Sequence, residues 1–134
     1  MKKLLAAVMT VLTVSSAAAA DQDRVAIAQM NKDRFAVKHV MMDKNDPDFA
    51  KIYDNYLYGD ILGKTKLDDR LKGLINLTVL TSTSNIHKLY EATNIALKFG
   101  VKPEEIKDAV YQCAPYVGIE KVALALEPIN NALK

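Results

Sequence analysis

The chain has 134 residues, of which 50% are hydrophobic and 25% charged, and its formal net charge is +2. No basic stripe with interleaved aromatic residues is present, so the sequence predicts no nucleic-acid partner. One cysteine excludes an intrachain disulfide, and two widely spaced histidines give no metal-site pattern. No glycine-rich phosphate loop and no nucleophile elbow occur, and we predict no metal and no cofactor.

The first 20 residues have the pattern of a secretory signal peptide. Two lysines precede an apolar run over residues 4–14, and Ala18-Ala19-Ala20 satisfies the small-x-small rule for cleavage. The apolar run is shorter than the roughly 20 residues that a membrane span needs. We therefore predict cleavage after Ala20, no stable membrane insertion afterwards, and secretion to what the style of the signal indicates is a bacterial periplasm.

The mature chain would begin at Asp21 and form one domain of 114 residues. The signal holds two lysines and no acid, so cleavage lowers the formal charge from +2 to 0. Residues 21–45 are polar and weakly patterned, and His39 within them indicates no function. This segment is compatible with a short helix, an arm over a neighbouring subunit, or partial disorder.

The first helix of the main domain, residues 46–134, is predicted to start at Asp46-Pro47. Asp46 is a suitable N-cap, and proline suits the first turn. Glycines at 59 and 63 are expected to end the helix in a loop. Its apolar positions recur at spacings of three and four: Phe49, Ile52, Tyr53, Tyr56 and Leu57.

The second helix is predicted to begin at a capping box formed by Thr65 and Asp68. It is apolar nearly all round, so we expect a central position for it. The TSTS run at residues 81–84 is expected to end this helix and to offer Ser84 as the next N-cap. The following helix should end at Gly100, a suitable left-handed residue.

A fourth helix is predicted from Pro103, with two acids in its first turn. Cys113 falls on its apolar face, which indicates a packing role. Pro115 and Gly118 interrupt the pattern before a last helix, in which Pro128 predicts a kink. No period-two strand pattern stands out, so the fold class is all-α, a bundle of about five to six helices.

Residues 48–134 resemble the carboxymuconolactone decarboxylase family, which includes the alkylhydroperoxidase D-like proteins. The resemblance lies in three stretches and in their order: LYGDILGKTKLDDRLKGLINLTVL, ALKFGVKPEEI and QCAPYVG. It implies an all-helical fold with a helical-hairpin core. It also implies a homo-oligomer, commonly a trimer or hexamer, with sites near the subunit interfaces.

Several residues of the family's best-understood chemistry are absent. The Cys-x-x-Cys pair and the histidine of the peroxidase branch correspond to Asn85, Lys88 and Ala92, and an acidic residue corresponds to Gly73. A dithiol peroxidase needs one low-pKa thiolate and a second thiol that resolves the sulfenic acid, so this activity is not expected. In the decarboxylase branch, the histidine before the Tyr-x-Gly corner is replaced by Gln112.

The resemblance and the residues present lead to three hypotheses of function. In the first, an interface pocket lined by Lys72, His87, Gln112 and Tyr116 binds a small carboxylated or cyclic organic ligand, with lyase or isomerase-type acid–base chemistry if it is catalytic. In the second, the protein is a non-catalytic oligomeric binding or structural module. In the third, it is a degenerate peroxidase that uses Cys113 alone. The candidate catalytic residues are His87, Tyr116 and Cys113.

Overall fold

A computed structural model describes residues 2–35 and 44–134, with the side chains of residues 18–35 and 44–134. Every regular element in these ranges is helical, which confirms the all-α fold class. The chain divides into two compact units, Met1–Thr65 and Lys66–Lys134. Residues 36–43, with His39, lie outside the described residues.

The N-terminal unit begins with a long helix, α1 (Lys2–Phe35), so the part of the 21–45 segment that is described is helical. Among the described side chains, those of residues 18–23 are exposed, and the packed face starts at Arg24 and includes Ala28, Asn31 and Phe35. Cleavage after Ala20 would therefore leave the packed face of α1 whole. No helix in the described ranges is long and apolar enough to span a bilayer.

The rest of this unit is a nearly continuous helical stretch made of α2 (Pro47–Asp54), a π-helix (Asn55–Ile61) and α3 (Leu62–Lys64). Its predicted start is confirmed, because the Asp46 carboxylate accepts a hydrogen bond from the Phe49 N–H at 3.0 Å.

The expected decay into a loop at Gly59 and Gly63 was wrong, because both positions are helical. These glycines instead allow α1 to approach closely. A Cβ atom on Gly59 would lie 2.8 Å from the Arg24 carbonyl oxygen, and one on Gly63 would lie 2.4 Å from a methyl carbon of Ile27.

The apolar positions that predicted α2 do not form its buried face. Phe49, Ile52 and Tyr56 are 52%, 64% and 58% exposed, whereas Ala50 and Tyr58 are buried. Tyr53 and Leu57 are partly buried, so the three-and-four pattern includes both exposed and partly buried positions of this stretch.

The C-terminal unit contains five helices, α4 (Asp69–Ser82), α5 (Ile86–Lys98), α6 (Pro103–Tyr111), α7 (Ala114–Val117) and α8 (Ile119–Ala132). Helices α4 and α5 form a hairpin, and both pack against α8. Their buried side chains form one core: Leu77, Leu89, Ala92, Ala96, Val101, Ile106, Val110, Cys113, Val122, Ala125 and Ile129.

The predicted start of α4 was wrong by one turn. Asp68 is itself the N-cap, since its carboxylate accepts a hydrogen bond from the Leu71 N–H at 2.9 Å. Thr65 has extended backbone and ends α3. An aspartate is a better N-cap than a partner in a capping box, because its short side chain reaches the N–H groups of the turn that follows it.

The TSTS run ends α4, as predicted, but Ser84 is not the next N-cap. The hydroxyls of Thr81, Ser82 and Thr83 donate to carbonyls four residues back, at 2.7 to 2.9 Å, so the helix extends to Ser82. Ser84 has a φ of 56° and lies in the turn, and Asn85 occupies the N-cap position of α5.

Helix α4 is central, as its contacts with α5, α6 and α8 show, but it is not buried all round. Leu77 is fully buried, while Leu71, Ile75 and Val79 on the opposite face are 45%, 48% and 52% exposed. The apolar residues all round α4 therefore lie partly on a core face and partly on an exposed face.

The helix boundaries at Gly100, Pro103 and Gly118 agree with those predicted from the sequence. Gly100 follows α5 with a φ of 78°, and Pro103 opens α6. Gly118, with a φ of 93°, separates α7 from α8. Helix α8 continues on both sides of Pro128.

Candidate functional site

The corner between α6 and α8 presents two of the four predicted pocket residues. Gln112 follows the last residue of α6, and Tyr116 lies on α7, immediately before the turn at Gly118. Tyr116 is 87% exposed and Ile119 is 73% exposed. Only glycine adopts the positive φ of residue 118 without strain, so the corner that presents these side chains depends on it.

The structure of one chain does not bring Lys72 and His87 together. A Cβ atom on Gly73 would lie 3.2 Å from the Cα of Ala96, so the start of α4 lies beside the end of α5. His87 is nine residues before Ala96. At 1.5 Å per residue, Lys72 and His87 are separated by about 14 Å along the hairpin.

The environments of these two residues also differ. The Lys72 side chain is only 12% exposed, and its Nζ lies 3.4 Å from Oδ1 of Asp69 in the same helix turn. His87 is exposed in the first turn of α5. Lys72 is therefore held by local contacts, whereas the imidazole faces solvent in the isolated chain.

Helix α6 runs in the same direction as α4. Arg70 pairs with Glu105 near the start of both helices, and the Cys113 sulfur lies 3.9 Å from the Thr78 carbonyl oxygen near their ends. Gln112 and the corner therefore lie beside the second half of α4. That half leads into the turn before α5, so the corner is nearer to the end of the hairpin that carries His87 than to Lys72.

Cys113 packs, which confirms the interpretation of its pattern. Its side chain is 6% exposed and belongs to the aliphatic core of the C-terminal unit. The sulfur lies 3.6 Å from the Ala109 carbonyl oxygen and 3.9 Å from that of Thr78, so the S–H group has acceptors within reach. A buried thiol surrounded by aliphatic carbon and carbonyl oxygens is poorly suited to attack a peroxide.

The positions that correspond to the peroxidase cysteines and histidine have other roles here. Asn85 is an N-cap residue, Lys88 is an exposed lysine 3.6 Å from the Glu91 carboxylate, and Ala92 is a core residue at 3% exposure. A Cβ atom on Gly73 would lie 3.2 Å from the Cα and the Cβ of Ala96, so a side chain at this position would require Ala96 to shift slightly. Of these positions, Ala92 and Gly73 pack within the core, whereas Asn85 and Lys88 are exposed.

The strongest electrostatic contacts of the C-terminal unit are structural. Arg70 donates to the Gly100 carbonyl oxygen and to Oε1 of Glu105, and Oε2 of Glu105 accepts from the Lys102 N–H at 2.8 Å. The Lys102 backbone hydrogen bond, assisted by Arg70, lowers the pKa of Glu105 below its ordinary value. This arrangement fixes the loop between α5 and α6.

No cluster of three or more histidine, cysteine or carboxylate side chains suited to a metal occurs in the part of the chain that the structure describes.

The sequence analysis missed a charged pair in the N-terminal unit. Lys32 Nζ lies 2.5 Å from Oδ2 of Asp54, and the two side chains are 19% and 13% exposed. The sequence carried no signal for this pair, because Asp54 lies outside the apolar positions that predicted α2. Its partner on α1 had no recognisable pattern.

The architecture and the glycine corner define an all-α bundle of the alkylhydroperoxidase D-like class, with a helical hairpin at its centre. The sequence profile of the Carboxymuconolactone decarboxylase family matches residues 47–130, more than half of the chain. The protein belongs to this family. A search of curated proteins found no match to the sequence.

Proposed function

We propose that this protein is an exported homo-oligomer that binds a small carboxylated or cyclic organic ligand in a pocket between subunits. The pocket residues would be Lys72, His87, Gln112 and Tyr116. The observation that carries the proposal is the corner at residues 112–118, which exposes most of an aromatic ring and a neighbouring isoleucine on a rigid turn. Exposed aromatic and aliphatic groups of this kind are typical of interaction surfaces.

The separation of Lys72 and His87 supports a site built by more than one chain. Because the two residues are about 14 Å apart along one hairpin, a single small ligand would not contact both within one subunit. A pocket that uses both would take Lys72 from one subunit and His87, Gln112 and Tyr116 from another. The half-exposed face of α4, with Leu71, Ile75 and Val79, would provide apolar surface for such an assembly.

The chemistry, if the pocket is catalytic, would be of the acid–base lyase or isomerase type. Lys72 would hold a carboxylate, while His87 or Tyr116 would exchange a proton with the reacting centre. A peroxidase mechanism is disfavoured because the thiol of Cys113 is buried in the aliphatic core.

Export to a bacterial periplasm is proposed from the sequence of residues 1–20. It is supported by the packing of α1, which begins at Arg24 and so depends on no described side chain of the signal. Analysis of the N-terminal residue of the protein recovered from its producing cell would test this part. A mature N-terminus at Asp21 is expected, and an intact Met1 in the recovered protein would refute it.

A thermal-shift screen against small carboxylic acids, lactones, quinones and hydroperoxides tests the binding function. A ligand at a hundredfold excess over its dissociation constant stabilises the native state by about 2.7 kcal/mol, which is a readily measured shift. We expect one chemical class to raise the melting temperature. Tyr116→Phe and Gln112→Ala should abolish the shift without changing the oligomer.

The matched control is Tyr90→Phe, which removes the hydroxyl of another exposed tyrosine in the same unit. It should retain the ligand-induced shift. Loss of the shift in both tyrosine variants, or no shift with any class, would favour a non-catalytic structural module. Peroxide turnover that Cys113→Ser abolishes would favour the single-cysteine peroxidase.

A further inference from the structure

The N-terminal unit contains a cavity of about 240 Å³ between α1 and the stretch formed by α2 and the π-helix. Its apolar wall includes Val25, Ala28, Pro47 and Ala50. Its polar groups are Gln29, Lys32, Lys51, Asp54 and Asn55. An apolar wall with a few polar groups is the usual composition of a small-molecule site.

Several contacts fix the walls of this cavity in place. The buried Asn31 amide donates to the Tyr58 carbonyl oxygen at 2.7 Å. The Lys32–Asp54 ion pair joins the same two walls. The backbone of α1 passes so close to Gly59 that no larger residue fits there. The cavity is therefore formed without a ligand, which lowers the entropic cost of binding.

The charges of the cavity favour an anion. The lining residues include two lysines, Lys32 and Lys51, and one carboxylate, Asp54, which pairs with Lys32. The ion pair satisfies one of the three donors of Lys32 and leaves capacity for a second acceptor. Hydrogen bonds between an ammonium group and a carboxylate are about twice as strong as those between neutral groups.

The backbone at this place is also unusual. Asn55, which lines the cavity, is the first residue of the π-helix. Such π-helical turns are rare and occur frequently at functional sites. Four of the nine lining residues come from α1, which lies before the residues that match the family profile, so the cavity requires this chain's N-terminal helix.

We propose that this cavity is a second binding site, for a small organic monocarboxylate. Lys32 and Lys51 hold the carboxylate, and a short apolar body packs on Ala28 and Ala50. The cavity is small and open to solvent on one side, which favours a ligand of a few carbon atoms. This site is independent of the pocket proposed for the C-terminal unit.

The test is a titration of the isotope-labelled protein with butyrate, followed by amide NMR shifts. We expect saturable shifts at Gln29, Ala50 and Asn55, with a dissociation constant on the order of 1 mM for a ligand of about six heavy atoms. Butyramide has the same shape without the charge and should bind at least about tenfold more weakly.

Two substitutions separate a built site from general attraction of anions. Lys51→Gln should weaken butyrate binding by about tenfold, whereas Lys98→Gln, at an exposed lysine of α5, should not change it. Val25→Phe, at the partly exposed edge of the cavity, should block binding while both lysines remain. Val25 tolerates the larger ring better than a core residue, because it is 39% exposed.

The proposal is overturned by any of four results. These are no saturable shift, equal affinity for butyramide, equal weakening in Lys51→Gln and Lys98→Gln, and full binding in a folded Val25→Phe variant.

Discussion

The two units of this protein are each stabilised by a different kind of internal contact. The core of the C-terminal unit is aliphatic and continuous, and its buried polar residues, Thr81 and Thr93, satisfy their hydroxyls on the carbonyls of Leu77 and Leu89 within their own helices. Among the described residues of the N-terminal unit, the buried hydrophobic side chains are Ala28, Phe35, Ala50 and Tyr58.

Specific polar contacts take a larger part in the N-terminal unit. It buries Asn31 and Asp54, contains the Lys32–Asp54 pair, and includes a π-helix beside a cavity. Burial of apolar surface tolerates small shifts, whereas a buried ion pair contributes only when its geometry is kept. We therefore expect the N-terminal unit to unfold before the C-terminal unit when the protein is destabilised.

The largest expected effect is that of Leu89→Ala in the C-terminal core. Leu89 is fully buried at the centre of the aliphatic cluster, so its truncation leaves a cavity and lowers the free energy of unfolding by about 3 kcal/mol. Chemical denaturation measures this change. The exposed Leu124→Ala is the control and should cost less than about 1 kcal/mol, because Leu124 is 57% exposed. Equal losses would contradict the account of the core.

Asp54→Asn should have the next largest effect. It leaves the ammonium of Lys32 without its partner at 19% exposure, and we expect a loss of about 2 kcal/mol, below the 3–5 kcal/mol of a fully buried pair. Hydrogen exchange of the α1 amides measures the change. Lys64→Gln breaks the exposed Lys64–Asp60 pair and should cost less than about 0.5 kcal/mol. Equal rates of hydrogen exchange in the two variants would show that the Lys32–Asp54 pair stabilises the protein no more than an exposed pair does.

Gly59→Ala tests the close approach of α1. The new methyl group would lie 2.8 Å from the Arg24 carbonyl oxygen, so α1 must shift, at a cost of about 1–3 kcal/mol. Gly100→Ala meets no neighbouring atom but places a side chain at a φ of 78°, which costs about 1–2 kcal/mol of backbone strain. Exchange at Ala28 and Asn31 should increase in the first variant and stay unchanged in the second. If hydrogen exchange at Ala28 and Asn31 is unchanged in both variants, α1 does not approach Gly59 too closely for a methyl group.

The smallest effect concerns pH. The pKa of Glu105 is lowered from 4.5 by the Lys102 N–H and by Arg70, so its contribution is complete above 4.5 and is lost as the pH falls through the lowered value. The free energy of unfolding of Glu105→Gln should therefore fall less between about pH 5 and pH 3 than that of the native protein. Glu104→Gln, in the same turn, should keep most of the native slope. If the free energy of unfolding falls with pH in the same way in all three proteins, the ionisation of Glu105 does not contribute to the pH dependence of stability.

The sequence predicted the parts of the fold that depend on local chemistry. The Asp46 cap, the Gly100 and Gly118 turns, the Pro103 start and the buried side of Cys113 each follow from one residue and its neighbours. The helix α1 did not, because its buried residues are few and include an asparagine, so no apolar period marks them.

The N-cap of α5 is another difference. The run at 81–84 ends α4 as predicted, but Ser84 lies in the turn with a φ of 56° and Asn85 takes the N-cap position. For the candidate site, the sequence identified the exposed corner residues. It did not predict that Lys72 and His87 lie at opposite ends of the hairpin, because that distance follows from the packing of α4 against α5.

The most direct test of the interface pocket is the mass of the purified protein by light scattering after size-exclusion chromatography. A site that takes Lys72 and His87 from different subunits predicts a mass of two or more chains at micromolar concentration. It also predicts that Ile75→Glu, on the exposed face of α4, yields a folded species of lower mass. A native protein that is monomeric across this range, or an Ile75→Glu variant that keeps the native mass, would contradict the account.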